Sequence, residues 1–253
     1  MFCVKFQQRH ETGNESKEYM NELINIDCPQ FHFENIHLYC CDCMDLMAQL
    51  PDKSADLAIT DPPYGGGQHF NFRYGIGTEV YENHKPPEIY WDGLFRISAN
   101  QIVWGGNYFA HSMPENRCWI SWYKGNPLDS FSDFELAWTS FDKVARAVKM
   151  ESYGFNHKDG TTIHPTQKPV ATLKQLIELF TDKGDVVIDP VAGSGSTLVA
   201  AIELERKAYG FEIKKDYFKA ASEWISTVKQ RKADIEKFGY AKTEINKTHN
   251  TLF

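Results

Sequence analysis

Asp189-Pro190-Val191-Ala192-Gly193-Ser194-Gly195-Ser196-Thr197 is the stretch whose reading decides how this chain folds. The apolar run Val186-Val187-Ile188 precedes it and Leu198-Val199-Ala200-Ala201-Ile202 follows it, so it reads as strand, glycine-rich turn and helix start. Such a turn is a ligand site of the nucleotide kind. Gly193 and Gly195 let a ligand approach the backbone, the helix N-terminus presents unpaired N–H groups, and Asp189 fixes a negative charge at the strand tip. A phosphate-cradling loop needs Gly-Lys-Ser/Thr, and no lysine precedes Ser196-Thr197. A dinucleotide fingerprint needs a small residue where Leu198 stands. A cofactor with a cation and an amino acid in place of phosphates suits an acidic strand tip, and S-adenosylmethionine (SAM) meets that description. Glu212, seventeen positions after Gly195, ends the next apolar run, Ala208-Tyr209-Gly210-Phe211, where a carboxylate can accept two hydrogen bonds from ribose hydroxyls. A packing turn in an ordinary α/β protein accounts for the same letters, so the rest of the chain has to choose.

A second strand tip lies upstream. The run Asp56–Thr60 delivers Asp61-Pro62-Pro63-Tyr64, followed by three glycines. Two prolines cannot continue a central ladder, which frees the Pro62 carbonyl and the Asp61 carboxylate to point the same way beside the Tyr64 ring. Two acceptors and a flat aromatic suit an amino group on a planar base. Asp-Pro is also common turn chemistry, and the paired tips together favour the ligand reading.

Composition sets the bounds. The chain has 253 residues, 42% hydrophobic and 24% charged, enough for one α/β domain with a sizeable core. No apolar run reaches a membrane span and the start lacks a signal-peptide core, so the expected location is the cytoplasm, with no membrane partner. Six cysteines, with Cys40, Cys41 and Cys43 bunched, lack zinc spacing; neither a disulfide nor a metal is expected. A formal charge of −7 argues against a surface basic all round and leaves room for a basic cleft.

Residues 1–34 read as a polar N-terminal extension, 35–237 as the catalytic domain and 238–253 as a polar tail. Strands are expected at Ile36–Cys41, Gln101–Trp104, Cys118–Trp122 and Phe134–Trp138, and helices at Met44–Leu50, Pro87–Ile97 and Lys214–Lys232. Trp104 and Trp138 read as core, and Trp122-Tyr123-Lys124 as a rim facing substrate. Lys143, Arg146 and Lys149 read as a solvated helix or hairpin face, with a basic stripe as the rival reading. His164-Pro165-Thr166-Gln167-Lys168-Pro169 opens a helix with Pro169 as its first residue, and His164, Thr166 and Lys168 at its mouth can bind a carboxylate. The glycine-flanked stretch Gln68–Gly77 can close over a ligand or press on a nucleic-acid strand, with Arg73 for phosphate, and reads equally as a surface loop without a dedicated role.

In chain order these motifs resemble the β-class DNA amino-methyltransferases, the permuted adenine-N6 and cytosine-N4 family. Asp61–Tyr64 matches the family's catalytic motif, His164–Pro169 the motif before the cofactor site, and Asp189–Thr197 the SAM loop. The catalytic motif comes first, as in this class. The resemblance spans roughly residues 36–231 and implies a seven-stranded, mostly parallel Rossmann-like sheet with helices on both faces. It implies that Asp61 and Pro62 bind the target amino group, with Pro63 in the same motif and Tyr64 stacking on a base flipped from double-stranded DNA. It implies that Asp189, Gly193, Gly195, Ser196 and Thr197 line SAM, that Glu212 takes the ribose, that Thr166 and Lys168 take the carboxylate, and that Asp42 and Cys43 lie near the adenine. Asp at the first catalytic position resembles the adenine-N6 members. Val191 departs from the family's aromatic, and the span from Trp138 to His164 is short for a target-recognition domain, so sequence choice is expected from DNA-contacting loops 65–90 and 124–160, from a second subunit, or is lax. Such a chain is a candidate homodimer. The rival readings are cytosine N4, an RNA base, or a silent SAM- and DNA-binding partner.

Overall fold

The computed structural model describes residues 20, 24–65, 84–124, 132–149, 163–164 and 167–238. Among them, nine strands form one sheet: β1 Gln30–Phe33, β2 Ile36–Tyr39, β3 Ala55–Thr60, β4 Ser98–Trp104, β5 Trp119–Tyr123, β6 Phe134–Thr139, β7 Arg146–Lys149, β8 Val186–Asp189 and β9 Lys207–Phe211. Their order is β1-β2-β9-β8-β3-β4-β6-β5-β7. The five from β2 to β4 run parallel, and β6 runs antiparallel to both its neighbours. Five helices accompany them: α1 Cys43–Met47, α2 Glu88–Ile97, α3 Val170–Phe180, α4 Ser196–Glu203 and α5 Lys215–Phe238.

Side-chain alternation along each strand feeds two cores. Leu57, Ile59, Ile102 and Trp104 face Leu173, Leu176, Leu198 and Trp224 of α3, α4 and α5. Ala58, Val103, Ile188 and Phe211 face Leu46 and Met47 of α1 and Trp91 and Leu94 of α2. Helices therefore cover both faces, as a parallel sheet requires, since every backbone and apolar group on it must be buried.

Several elements differ from expectation. The described sheet has nine strands rather than seven, because β1, paired with β2, and β7 extend its edges. The expected extension contributes structure: β1 pairs with β2, Phe31 and Phe33 pack on the core, and Met20 and Ile24 are buried. Arg146 is exposed, as a solvated face requires, but opens a strand paired in parallel with β5 rather than lying on a helix or hairpin. Lys143 lies over the Phe141 and Phe180 rings, 5.6 and 5.0 Å from their centroids. Trp122 is core rather than rim: only 7% exposed, it meets Trp104 edge-on, while Tyr123 is 58% exposed. Pro169 is the N-cap of α3 rather than its first helical residue.

The order β9-β8-β3-β4 contains the reversal that makes a binding crevice. From β3 the chain crosses one way to β4, and from β8 it crosses the other way to β9. The crevice opens between β3 and β8, beyond their carboxyl ends.

Candidate active site

A cavity of about 840 Å³ occupies that crevice. Asp61 and Pro63 enter it from the β3 tip, Asp189 from β8, Gly193, Ser194, Ser196 and Thr197 from the turn into α4, and Glu212 from the end of β9. Trp104, His164 and Lys168 also line it. Two tips far apart in sequence thus face one space because β3 and β8 are hydrogen-bonded neighbours.

The glycine turn is held from both sides. The Ala192 N–H donates to Phe211 O at 2.8 Å, and the Gly193 N–H to Glu212 Oε2 at 2.9 Å. Gly195 has φ +79°, and a Cβ there would lie 3.1 Å from Ala221 Cβ, so both the left-handed backbone and the close passage of α5 demand glycine. Glu212 Oε1 also accepts from the Lys214 N–H at 2.8 Å. Its carboxylate keeps lone pairs for further donors, and burial pushes its pKa up despite those N–H groups. Asp189 is buried and accepts from Val191 N–H at 3.2 Å. Burial raises its pKa to about 7, against the lowering pull of Thr197 and the Val191 amide.

The β3 tip carries a network of charges. Tyr64 Oη donates to Asp61 Oδ1 at 2.6 Å, and Lys168 Nζ to Asp61 Oδ2 at 2.5 Å. Lys168 Nζ also lies 3.2 Å from Glu135 Oε2, and Glu135 in turn pairs with Lys124. Burial alone would depress the Lys168 pKa, but the two acids outweigh it and raise it. Burial likewise opposes ionisation of Glu135, yet Lys168 and Lys124 hold its pKa below the ordinary value. Burial, then Asp61, raises the Tyr64 pKa.

Most sequence-predicted residues meet here; some take other positions. Lys168 lines the cavity, but its ammonium serves Asp61 and Glu135. Tyr64 stacks on Tyr108 at 4.7 Å and 16°, with its hydroxyl on Asp61. Pro62 is buried behind the tip. His164 packs edge-on against Tyr217 at 4.5 Å, and burial, aided by Lys168 and Lys214, lowers its pKa to about 4. Asp42 is exposed and caps α1 through the Met44 N–H at 2.8 Å; neither it nor Cys43 is in the cavity wall. Thr166, Arg73, most of loop 65–90 and about half of 124–160 lie outside the described residues, and the described part of 124–160 holds strands β6 and β7 rather than one long loop.

Two contributors escaped the sequence reading. Glu135 is one, reaching this edge because β6 runs antiparallel and so starts where β3 and β8 end. Gly105 is the other: its φ is +66°, and a Cβ there would lie 2.3 Å from the Tyr64 ring. The Trp104-Gly105-Gly106 doublet at a strand end was the signal available for it.

An open parallel sheet with a glycine turn at its switch point, facing a second acidic tip across one cavity, defines the Rossmann-like methyltransferase class. A family model for DNA methylases of the N6/N4 type matches residues 82–223, and the chain belongs to that family. YubD of Escherichia coli (strain K12), which carries a methylase name, is 28% identical over 223 residues, spanning 75% of this chain and 89% of YubD. Type II methyltransferase M.BglII of Bacillus subtilis is 25% identical over 260 residues, 78% of this chain and 70% of that protein. The solved complex of M1.HpyAVI with SAM superposes with a TM-score of 0.50 at 25% identity, covering 74% of this chain and 98% of that one. The PvuII DNA methyltransferase, cytosine-N4-specific, shares the fold: TM-score 0.54 at 16% identity, covering 81% and 96%.

Proposed function

We propose that this chain methylates the exocyclic N6 of adenine in DNA, using SAM. The observation that carries the reading is the facing of Asp61 on β3 and the Asp189–Thr197 turn after β8 across one cavity. Family membership and the SAM bound by M1.HpyAVI support it.

The donor set fits the cofactor. A buried acid with a pKa near 7, Asp189, gains from a cationic partner, and the amino-acid end of SAM carries one. Glu212 retains acceptor capacity for a ribose diol, and about 840 Å³ is in the range of small-molecule sites. Ser194 and Ser196 place neutral hydroxyls along the same wall. When bound, SAM supplies a methyl group already activated by its sulfonium.

The chain's own part is positioning and charge. An aniline-like nitrogen has its lone pair drawn into the ring. Asp61 and the Pro62 carbonyl, accepting its two hydrogens, favour a pyramidal nitrogen and stabilise the positive charge that develops there. Each Asp61 oxygen has a lone pair beyond those used by Tyr64 and Lys168. Tyr64 anchors Asp61, and a flipped base stacking on its ring has to take the place of Tyr108. Asp61, rather than serine, at the first motif position supports adenine.

The test is transfer of labelled methyl from SAM to unmethylated duplex DNA, followed by nucleoside analysis. N6-methyladenine is expected. N4-methylcytosine would overturn the base choice, and label confined to RNA or absent from DNA would overturn the substrate.

A further inference from the structure

We propose that Glu135 is a positioning residue for methyl transfer: its carboxylate takes a share of the Lys168 ammonium and so leaves Asp61 available to the target amino group. The inference rests on the reading of the chain as an amino-methyltransferase.

Lys168 has three N–H donors and no acceptor, and its side chain is 7% exposed, so its charge has to be met inside the protein. The Trp104 ring covers one side, 5.5 Å from Nζ to centroid. Two carboxylates meet the rest, Asp61 at 2.5 Å and Glu135 at 3.2 Å. Were Asp61 the sole anion, the buried ammonium would bind it alone and compete with any amino group for its lone pairs. A second anion divides that attraction.

Glu135 is built for this indirect role. It is absent from the cavity wall, so it acts through Lys168 rather than on substrate. Its Oε2 is buried and faces Lys168 without a well-directed hydrogen bond, so the contact is electrostatic and adjustable. Lys124, just past the end of β5, pairs with its other oxygen, Oε1. The result is an alternating row, Lys124–Glu135–Lys168–Asp61, running from a partly exposed lysine to the reacting carboxylate.

The experiment compares the parent with Glu135→Gln and Glu135→Asp in full-length protein. Steady-state transfer to DNA gives kcat and the KM for SAM. Trace acetylation of the ligand-free protein, read by mass spectrometry, gives the reactivity of the Lys168 amine. Glu135→Gln is expected to lower kcat by about 10–100-fold, the usual effect of losing a group that orients a reacting one, with the KM for SAM within about twofold. Lys168 acetylation should rise about threefold, because a lysine held by one anion loses its proton more readily than one held by two. Glu135→Asp, which keeps the charge one methylene further away, should fall between. If Glu135→Gln does not fold, Glu135→Asp decides alone: a reduced kcat at constant KM supports the proposal and an unchanged kcat overturns it. It is also overturned if Glu135→Gln turns over like the parent, if the loss appears as a matching rise in KM, or if Lys168 labelling does not change. A parent that transfers no methyl to DNA would sink the functional reading instead, and the labelling would still decide the link between Glu135 and Lys168.

Discussion

Replacing Lys168 by methionine keeps the volume of the side chain and removes the charge between two acids. Breaking a buried pair costs about 3–5 kcal/mol because it strands the partner charge. Here the figure falls toward about 2–3 kcal/mol, since Asp61 and Glu135 are 22% and 23% exposed, Asp61 keeps the Tyr64 hydroxyl and Glu135 keeps Lys124. With a urea slope of about 2–3 kcal/mol per molar, the midpoint at pH 7 should drop by about 1 M. The deficit should depend on pH with a definite sign. In the parent, the lowered Glu135 pKa contributes stability above its ordinary value near 4.5, and that is lost as pH falls through the folded value. The raised Lys168 pKa contributes below its ordinary value near 10.5, lost as pH rises through the folded one. The parent therefore keeps the pair across pH 5–9. In Lys168→Met the carboxylates lose the cation between them and like-charge repulsion opposes their ionisation, so the deficit narrows as pH falls. Urea titrations at pH 5 and pH 7 measure both effects. A midpoint unchanged at pH 7, or a deficit that widens toward pH 5, would refute the electrostatic account.

Asp61→Asn should lower kcat by about 100–1000-fold while calorimetric SAM affinity stays within about threefold, because it removes an anion aimed at the nitrogen and leaves the glycine turn intact. Gly195→Ala should cost about 2–4 kcal/mol in denaturant unfolding, from the left-handed backbone and the 3.1 Å approach to Ala221, and should abolish detectable SAM binding. Burial raises the Asp189 pKa to about 7, so its contribution to stability is full below its ordinary value near 3.8 and is lost as pH rises through about 7. Asp189→Asn should flatten that slope, and a bound cation should drive proton release from Asp189. SAM affinity should accordingly rise with pH up to about 7 and then level, with a buffer-dependent binding enthalpy below that point.

What the sequence made legible was local. Asp61, Asp189 and Glu212 each close an apolar run, and a strand followed by an acid needs only neighbouring letters to be read. The adjacency of the first two tips followed from motif order and stands in the pairing of β3 with β8. The role of Lys168 was not legible, because its partner Glu135 reaches the site only through the reversed direction of β6, a property of the whole sheet. The β1 strand was missed because Gln30-Phe31-His32-Phe33 is a four-residue alternation that gains its stability from pairing with β2. Trp122 looked like rim from its place at a strand end; its burial depends on Trp104 across the sheet.

The position of β3 also governs how the chain can be made. This strand lies inside the sheet, yet the neighbour on one side is β8, and the Val186 N–H that bonds Asp56 Oδ2 at 2.9 Å belongs to a residue 130 positions later. A ribosome delivering residues in order presents β3 and β4 long before β8 exists, and one edge of β3 waits with unpaired amides and carbonyls. The Asp61 tip is thus synthesised early and the glycine turn late, so a prematurely terminated product holds half a crevice.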